Sequence, residues 1–442
     1  MIKNLKKNPP LVICLSFLVL IFTGAFLLNT ELASASGENI GFINALFTAT
    51  SASCVTGLVV VNTAEYWSNF GKFIIIFLIQ IGGLGTMVFL SLIPIIFHKR
   101  IGIVERRILK EQVSYDATKG IIKLVKYIIK FSLSVEIVGA ILLSIRFIPQ
   151  YGVIKGFLFS LFHSVSAFCN AGFDLIGNSL MNYQSDALIT ITISSLIIVG
   201  GLGFAVFLEI YRLRNFKNLS LHSKVAITVS VILLILGTIG FFLIEHNEIS
   251  MENLDLKGKI LTSYFMSASS RTAGFNSLDL SKIQEGSVII TIILMFIGAS
   301  PASTGGGIKT TTFGVLLFST ISVLRGNEET EIYHKTIPYD VLLRSLCIFF
   351  LASGLVIFSS LGLMIIEDGK FLYLDILYEI VSAFGTVGVT RGITSDLSSA
   401  SKIVLIILMY IGRVGAATLG VGILSKKNKK HTKYSHGKII VG

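Results

Sequence analysis

Four glycines recur along the chain, each inside a phrase of small and apolar residues. They are Gly57, Gly172, Gly274 and Gly388, in TATSASCVTGLV (48–59), HSVSAFCNAGFD (163–174), MSASSRTAGFNS (266–277) and VSAFGTVGVTRG (381–392). Glycine accepts backbone dihedrals that other residues resist, so it can turn main-chain carbonyl oxygens toward a ligand. Carbonyl oxygens at close quarters replace the hydration shell of a monovalent cation without fixing a trapping negative charge. The candidate ligands are the backbone oxygens of Val55, Thr56, Gly57, Asn170, Ala171, Gly172, Thr272, Ala273, Gly274, Thr386, Val387 and Gly388.

An alternative for any one glycine is that it lets two membrane helices pack closely. The four glycines, however, are spaced 115, 102 and 114 residues apart, in related phrases. Such a register favours four copies of one ligand-binding unit over four independent packing positions.

The stretch before each glycine predicts a half-length helix. The stretches 41–53, 155–168, 258–270 and 371–384 are mostly small or apolar. At 1.5 Å per residue, about 13 residues cross roughly half of the hydrocarbon layer. We expect each stretch to dip into the membrane and return, because non-helical backbone is tolerated at that depth only beside protein or a watery cavity. The carboxyl ends of the half-helices would then point negative partial charge at a cation.

Composition places the chain in a membrane. Of the 442 residues 53% are apolar and 14% charged, and the mean hydropathy is +0.80. The four cysteines show no CxxC or disulfide pattern. We predict eight spans of sufficient length, at 11–29, 73–97, 121–147, 187–210, 224–245, 286–323, 341–366 and 402–424.

The distribution of Lys and Arg predicts the orientation. Segments on the side of the termini carry 25 Lys/Arg, whereas the opposite side carries 10 Lys/Arg and 16 Asp/Glu. The positive-inside rule therefore predicts that both termini are cytoplasmic, in a multi-pass protein of the cell membrane. Cations scattered over five segments do not indicate nucleic-acid binding. The first span has the look of a signal peptide, and Ala33-Ser34-Ala35 could mimic a cleavage site, but we expect the span to be retained.

A second glycine follows each of the first four, and together they define a repeat. Gly82, Gly200, Gly298 and Gly412 come 24 to 28 residues later. The predicted fold is an all-α membrane protein with four pseudo-symmetric repeats of helix, pore loop and helix around one central pore. The expected boundaries are 1–115, 116–220, 221–335 and 336–424, followed by a basic tail at 425–442.

The sixth span contains a helix-breaking segment, GASPASTGGGIKTTTF (298–313). Proline removes a backbone donor and each glycine weakens a helix by about 1 kcal/mol. We predict that 299–312 crosses the ion path as a gate; a proline kink that only shapes packing is the alternative. The lysine position rules out a GxxxxGK[ST] phosphate loop. The candidate gate residues are Ser300, Pro301, Ala302, Ser303, Thr304, Gly305, Gly306 and Gly307, together with Arg413.

Arg413 follows Gly412, level with Ala299 in the repeat register. A guanidinium inside a span usually faces a cavity or a partner. It could form a positive barrier, bind backbone oxygens of the gate, or pair with Glu136 or Glu209. The roles of Lys309, Arg271 and Arg391 stay open; Lys309 could snorkel to the surface, and the two arginines could brace the adjacent loops.

The phrases and their spacing resemble the Trk/Ktr/HKT superfamily of potassium transporters over essentially the whole chain, most closely its KtrB membrane subunits. The resemblance implies one filter glycine per pore loop, a gating loop in the third repeat and an arginine in the last inner helix. It implies a pore that conducts K⁺ inward, with Na⁺ as a possible activating ion. It also implies a homodimer contacted through the C-terminal tail, in membrane lipid, and a cytosolic ring of KtrA-type subunits that binds nucleotide.

The sequence leaves two alternative functions open. A secondary transporter of an organic solute would use broken helices at the membrane midplane, but it predicts twofold or inverted repeats. A membrane receptor would not depend on the four glycines. We find no catalytic motif and predict neither an enzyme nor an organic cofactor on this chain.

Overall fold

The computed structural model describes residues 9–91, 102–112, 121–327 and 329–415. Within them the chain is almost entirely helical, which confirms the all-α prediction. The helices are α1 Pro9–Leu28, α2 Phe42–Ser53, α3 Thr63–Tyr66, α4 Asn69–Leu84, α5 Thr86–Leu90, α6 Ile103–Gln112, α7 Ile121–Tyr151, α8 Val153–Cys169, α9 Ala187–Leu202, α10 Phe204–Leu213, α11 Leu221–Glu245, α12 Leu256–Ser269, α13 Glu285–Phe296, α14 Thr310–Leu324, α15 Tyr339–Ile366, α16 Tyr373–Gly385 and α17 Ser399–Val414.

The remaining regular structure is short. One hairpin pairs β1 Glu331–Ile332 with β2 Lys335–Thr336 in antiparallel register. Single 3-10 turns occupy Glu31–Ala33, Met181–Tyr183, Phe216–Asn218, Ile249–Met251 and Thr394–Asp396. The predicted tail at 425–442 lies outside the described residues.

Four long apolar helices, α1, α7, α11 and α15, are each long enough to cross a membrane. Each is followed by a half-length helix, namely α2, α8, α12 and α16. The observed bounds of the half-helices agree with the predicted stretches to within two residues. Asp255 shows how such a helix begins, since its carboxylate accepts the N–H of Gly258 at 2.8 Å as an N-cap.

The helices that follow the four pore loops, which we call the inner helices, are more broken than we predicted. In chain order they are α4 with α5, α9 with α10, α13 with α14, and α17. The expected spans 73–97 and 187–210 were continuous, but α4 ends at Leu84, just before Gly85, and α9 ends at Leu202, just before Gly203. Both glycines have φ of 94°, a left-handed conformation that strains a residue with a Cβ. The α9–α10 pair bends by 95°. The repeated phrase GGLG carries this signal, because its last glycine is the hinge in both copies.

Two large apolar clusters form the core. One is built mainly from the first two repeats, includes Phe147 and Phe168, and extends to Phe275 of the third; the other is built mainly from the last two, includes Tyr378, and extends to Phe47 of the first. Residues of the half-helices contribute to both clusters.

Candidate ion pathway

Four three-residue segments, which we call the filter phrases, meet around one axis; they are 55–57, 170–172, 272–274 and 386–388. Each of the four glycines has positive φ, between 69° and 97°, and its Cα faces the carbonyl oxygen that precedes the glycine of the next repeat. A Cβ placed on each glycine would meet the carbonyl oxygen of Ala171 for Gly57 (2.5 Å), Ala273 for Gly172 (2.8 Å), Val387 for Gly274 (2.5 Å) and Thr56 for Gly388, where the two atoms would overlap. The order closes on itself, so the four loops form a ring, which we call the glycine ring.

A cavity of about 220 Å³ opens on one side of the glycine ring, and all four glycines line it. Asn62, Asn276 and Thr390 also line it, and Asp174 is the carboxylate among its lining residues. The Asp174 carboxylate accepts the N–H groups of Ile176 at 2.9 Å and Gly177 at 2.6 Å. We call this space the mouth cavity.

Serines near the ends of the half-helices brace the ring, and sequence analysis missed them. Ser51 accepts the N–H of Gly57 at 3.0 Å, and Ser382 accepts that of Gly388 at 3.1 Å. In the other two loops a serine hydroxyl donates to the carbonyl after the glycine: Ser166 to Phe173 at 2.8 Å, and Ser269 to Phe275. The sequence did contain a signal: the serine stands six residues before the glycine in repeats 1, 2 and 4, and five residues before it in repeat 3.

In the first, second and fourth filter phrases the first residue lies one or two residues beyond the end of its half-helix, whereas Thr272 lies three residues beyond Ser269. Val55, Asn170 and Thr386 take left-handed backbone conformations there, with φ of 58°, 61° and 50°. Their side chains are at most 1% exposed. The twelve candidate ligand residues are therefore brought together as four loops, and the first position of each is the step from helix to ring.

The second set of glycines lets the inner helices reach these helix ends. A Cβ on Gly82, Gly200 or Gly412 would overlap the carbonyl oxygen of Ser53, Phe168 or Phe384, respectively, near the carboxyl ends of α2, α8 and α16. Gly298 differs, because a Cβ there would overlap the carbonyl of Gly306 in the adjacent loop. In the third repeat the inner-helix glycine therefore packs against the loop that follows it, whereas in the other three repeats it packs against the end of a half-helix.

The segment between α13 and α14 is a compact loop that bonds to itself. Ile297 and Ile308 form a parallel bridge, and the N–H of Ala299 donates to Gly306 O at 3.3 Å. We call 297–309 the gate loop. The sequence placed its end at Thr312, but α14 already begins at Thr310, so the last three residues of that range are helical.

The gate loop is attached to the second inner helix. The N–H groups of Ser300 and Thr304 donate to Gly201 O at 2.9 Å and Gly200 O at 3.2 Å. The N–H of Phe204 donates back to Ala302 O at 3.0 Å. The hinge at Gly203 frees these groups, because a helix that ends leaves its last carbonyls without intrahelical partners.

Arg413 ties the gate loop to the first inner helix. Its guanidinium donates to Thr304 O, to Gly82 O and, at 3.1 Å, to Gly83 O. Of the alternatives left open by the sequence, the structure therefore has the one in which Arg413 binds gate-loop backbone. Within the described residues the two candidate carboxylates have other partners: Glu136 accepts from Gln80, and Glu209 accepts from Ser220 and Ser223.

The three cations of undecided role all bind nearby groups. Lys309 donates from Nζ to Gly305 O at 2.7 Å, inside the gate loop. Arg271 donates to Ser230 Oγ at 3.1 Å, behind the third filter phrase. Arg391 contacts Asp375 at 2.6 Å and donates to Leu280 O at 3.3 Å. The two arginines brace their loops.

A second cavity, of about 290 Å³, lies against the gate loop and is lined by Lys309, Arg413, Pro301, Gly305 and Phe204, among others. It shares no lining residue with the mouth cavity.

A helical chain whose four half-length helices end in loops around one axis is an integral membrane protein of the pore-loop class. The chain belongs to the TrkH family of cation transport proteins, whose family model matches residues 7–430. The resemblance to the Trk/Ktr/HKT superfamily is thereby confirmed.

Relatives match over the full length. The chain is 42% identical to the potassium/sodium uptake protein NtpJ of Enterococcus hirae, covering 98% of this chain and 97% of that protein. It is 41% identical to the Ktr system potassium uptake protein B of Bacillus subtilis, covering 100% and 98%. The crystal structure of the potassium transporter TrkH from Vibrio parahaemolyticus has the same fold, with a TM-score of 0.71 and 18% identity over 92% of this chain and 84% of that one.

Proposed function

We propose that this chain is the pore-forming subunit of a potassium-uptake system of the bacterial cell membrane. The observation that carries the proposal is the closed glycine ring, in which each glycine lies against a carbonyl oxygen of the next repeat. The relatives named for potassium uptake over their full lengths support K⁺ as the transported ion.

In this proposal the backbone oxygens of the twelve filter residues take the place of water around K⁺. Main-chain oxygens suit a permeating ion because they bind it without a full negative charge, so the ion can leave again. The aligned carboxyl ends of α2, α8, α12 and α16 favour a cation at the ring. The single carboxylate of the mouth cavity, Asp174, attracts cations to its entrance.

The gate loop closes the path in the absence of a signal. Its position depends on the bonds from Arg413 and from the second inner helix, which hold 300–307 beside the pore. We propose that opening moves this loop, because among the described residues it is the stretch where a hydrogen-bonded loop replaces part of an inner helix.

The distribution of basic residues supports cytoplasmic termini, so that the mouth cavity faces outward and the gate loop lies toward the cytoplasm. The four repeats, at the boundaries given above, each supply one loop of the ring. Because one relative is a Ktr system protein and another a potassium/sodium uptake protein, we propose a homodimer, a cytosolic KtrA-type nucleotide-binding ring and activation by Na⁺.

Growth of a bacterial strain lacking its own potassium-uptake systems tests the proposal. Expression of this chain with its regulatory subunit is expected to restore growth at low external K⁺. Gly274→Ser, accumulated to the same level, is expected not to do so, because a Cβ on Gly274 would lie 2.5 Å from Val387 O. Equal growth of both strains would exclude the ring as the ion path, and growth dependent on an organic solute would favour the secondary-transporter alternative.

A further inference from the structure

The gate loop is hydrogen-bonded directly to the filter. The N–H of Gly306 donates to the hydroxyl of Thr386 at 3.0 Å. Thr386 is fully buried and is the first residue of the fourth filter phrase, in a left-handed conformation with φ of 50°. The same residue therefore belongs to the ring through its backbone and to the gate contact through its side chain.

The third filter phrase lies against the gate loop as well. A Cβ on Gly305 would lie 2.7 Å from the Thr272 hydroxyl, so the loop backbone is in close contact with that side chain. Thr272 is bonded to the Asn170 side chain at 2.6 Å. With the Asn170 amide turned over, its oxygen accepts this bond and its NH₂ donates to Ala167 O at 3.1 Å and Ile197 O at 3.2 Å.

The contact is asymmetric among the repeats. The first filter residue is polar in repeats 2, 3 and 4 (Asn170, Thr272 and Thr386) and apolar in repeat 1, where it is Val55. The Thr304 hydroxyl of the gate loop donates to Phe168 O, near the end of α8, at 3.2 Å. The gate loop therefore contacts the filter through groups of repeats 2 to 4, whereas Arg413 connects the loop to the first inner helix, in repeat 1.

Removing the gate loop takes a hydrogen-bond donor away from Thr386. A buried hydroxyl that loses its partner must find another or remain unsatisfied, and both outcomes act on a backbone that is already in a sparsely populated conformation. Thr386 precedes Val387, whose carbonyl faces Gly274 in the ring. A change at Thr386 therefore reaches the ion-facing oxygens within one residue.

We propose that Thr386 is a positioning residue that couples the gate loop to the filter, so that the discrimination between K⁺ and Na⁺ depends on where the gate loop lies. This inference rests on the proposed function, since it assumes that the ring is the ion path and that the loop is its gate.

The test is a double-mutant cycle on the purified full-length protein in liposomes. The variants are Thr386→Val, a deletion of residues 302–306, and the two combined; the readout is the ratio of K⁺ to Na⁺ flux. Valine has the shape of threonine without the hydroxyl. Thr386→Ser keeps the hydroxyl, and Thr291→Val is the matched control, because the Thr291 hydroxyl is buried and bonds Ser287 O of its own helix at 2.7 Å.

We expect Thr386→Val to raise flux without a regulatory subunit and to lower the K⁺/Na⁺ ratio about two- to tenfold, the loss of one buried hydrogen bond. Thr291→Val should keep the wild-type ratio, and Thr386→Ser, which retains the hydroxyl, should lower the ratio less than Thr386→Val does. The deletion should lower the ratio by itself, and adding Thr386→Val to it should change nothing more, because Gly306 is then absent.

The inference would be overturned if Thr386→Val and the deletion lowered the K⁺/Na⁺ flux ratio independently, so that their effects multiplied in the combined variant. An unchanged ratio in Thr386→Val would overturn it as well. Failure of the proposed function looks different: wild-type protein with its regulatory subunit would carry no K⁺, or the deletion would leave the flux of the chain alone unchanged. If the deletion does not fold, Arg413→Gln serves as the gate-released background. If Thr386→Val does not fold, Thr386→Cys, with a weaker acceptor, should shift the ratio in the same direction.

Discussion

Replacing Gly388 by alanine is expected to reduce K⁺ uptake at least about tenfold and to lower the preference for K⁺ over Na⁺. The left-handed conformation at φ of 95° costs an L residue about 1–2 kcal/mol, where 1.4 kcal/mol is a factor of ten. The added Cβ would also overlap Thr56 O and lie 2.7 Å from Gly57 Cα, so that two loops of the ring must separate. Rubidium or potassium uptake into cells, normalised to protein in the membrane, measures the effect.

Gly392 provides a matched control four residues further along the same loop. It has the same φ of 95°, but a Cβ there would meet nothing within 4 Å. Gly392→Ala therefore carries the backbone strain without the collision in the ring and is expected to transport K⁺ with near wild-type selectivity. If the two variants lose uptake and selectivity equally, the close approach at Gly388 is not what matters.

The second large effect is expected from Arg413→Gln. This change removes the charge that donates to Thr304 O in the gate loop and to Gly82 O and Gly83 O in the first inner helix. Hydrogen bonds to charged donors contribute about 1.5–3 kcal/mol each, so loss of the guanidinium should release the loop and raise K⁺ flux without the regulatory subunit by about tenfold or more. Flux into liposomes that contain only this chain is the measurement.

Arg344→Gln is the control for a lost positive charge. Arg344 is largely exposed and pairs with Asp340 one helical turn away, at 3.4 Å, a contact of little energetic value. Its flux should equal that of wild type. Wild-type or lower flux in a well-folded Arg413→Gln protein would show that the arginine does not hold the path closed.

The parts of the fold that depend on local repetition were predictable. The half-helices and the glycines that end them recur four times, and a recurring pattern identifies a unit without any knowledge of its neighbours. Arg413 was also placed level with the gate segment by the repeat register, although the register did not choose among its possible partners.

Other features depend on approach between distant segments. Gly306 and Thr386 are 80 residues apart, and nothing in either phrase indicates that a loop of the third repeat bonds a filter residue of the fourth. The hinges at Gly85 and Gly203 were missed for a different reason. Their flanks are uniformly apolar, so hydropathy predicted continuous spans although GGLG was visible in both.

We propose that ion conduction depends on the glycine ring, where an alkali ion exchanges its water for peptide oxygens. Fluxes of K⁺, Rb⁺ and Na⁺ through the purified Arg413→Gln protein in liposomes, in which the gate is expected to be released, test this directly under one imposed gradient. We expect K⁺ and Rb⁺ to pass readily and Na⁺ more slowly, and the added change Gly388→Ala to reduce this difference. Equal passage of all three ions, unaffected by Gly388→Ala, would contradict the proposal.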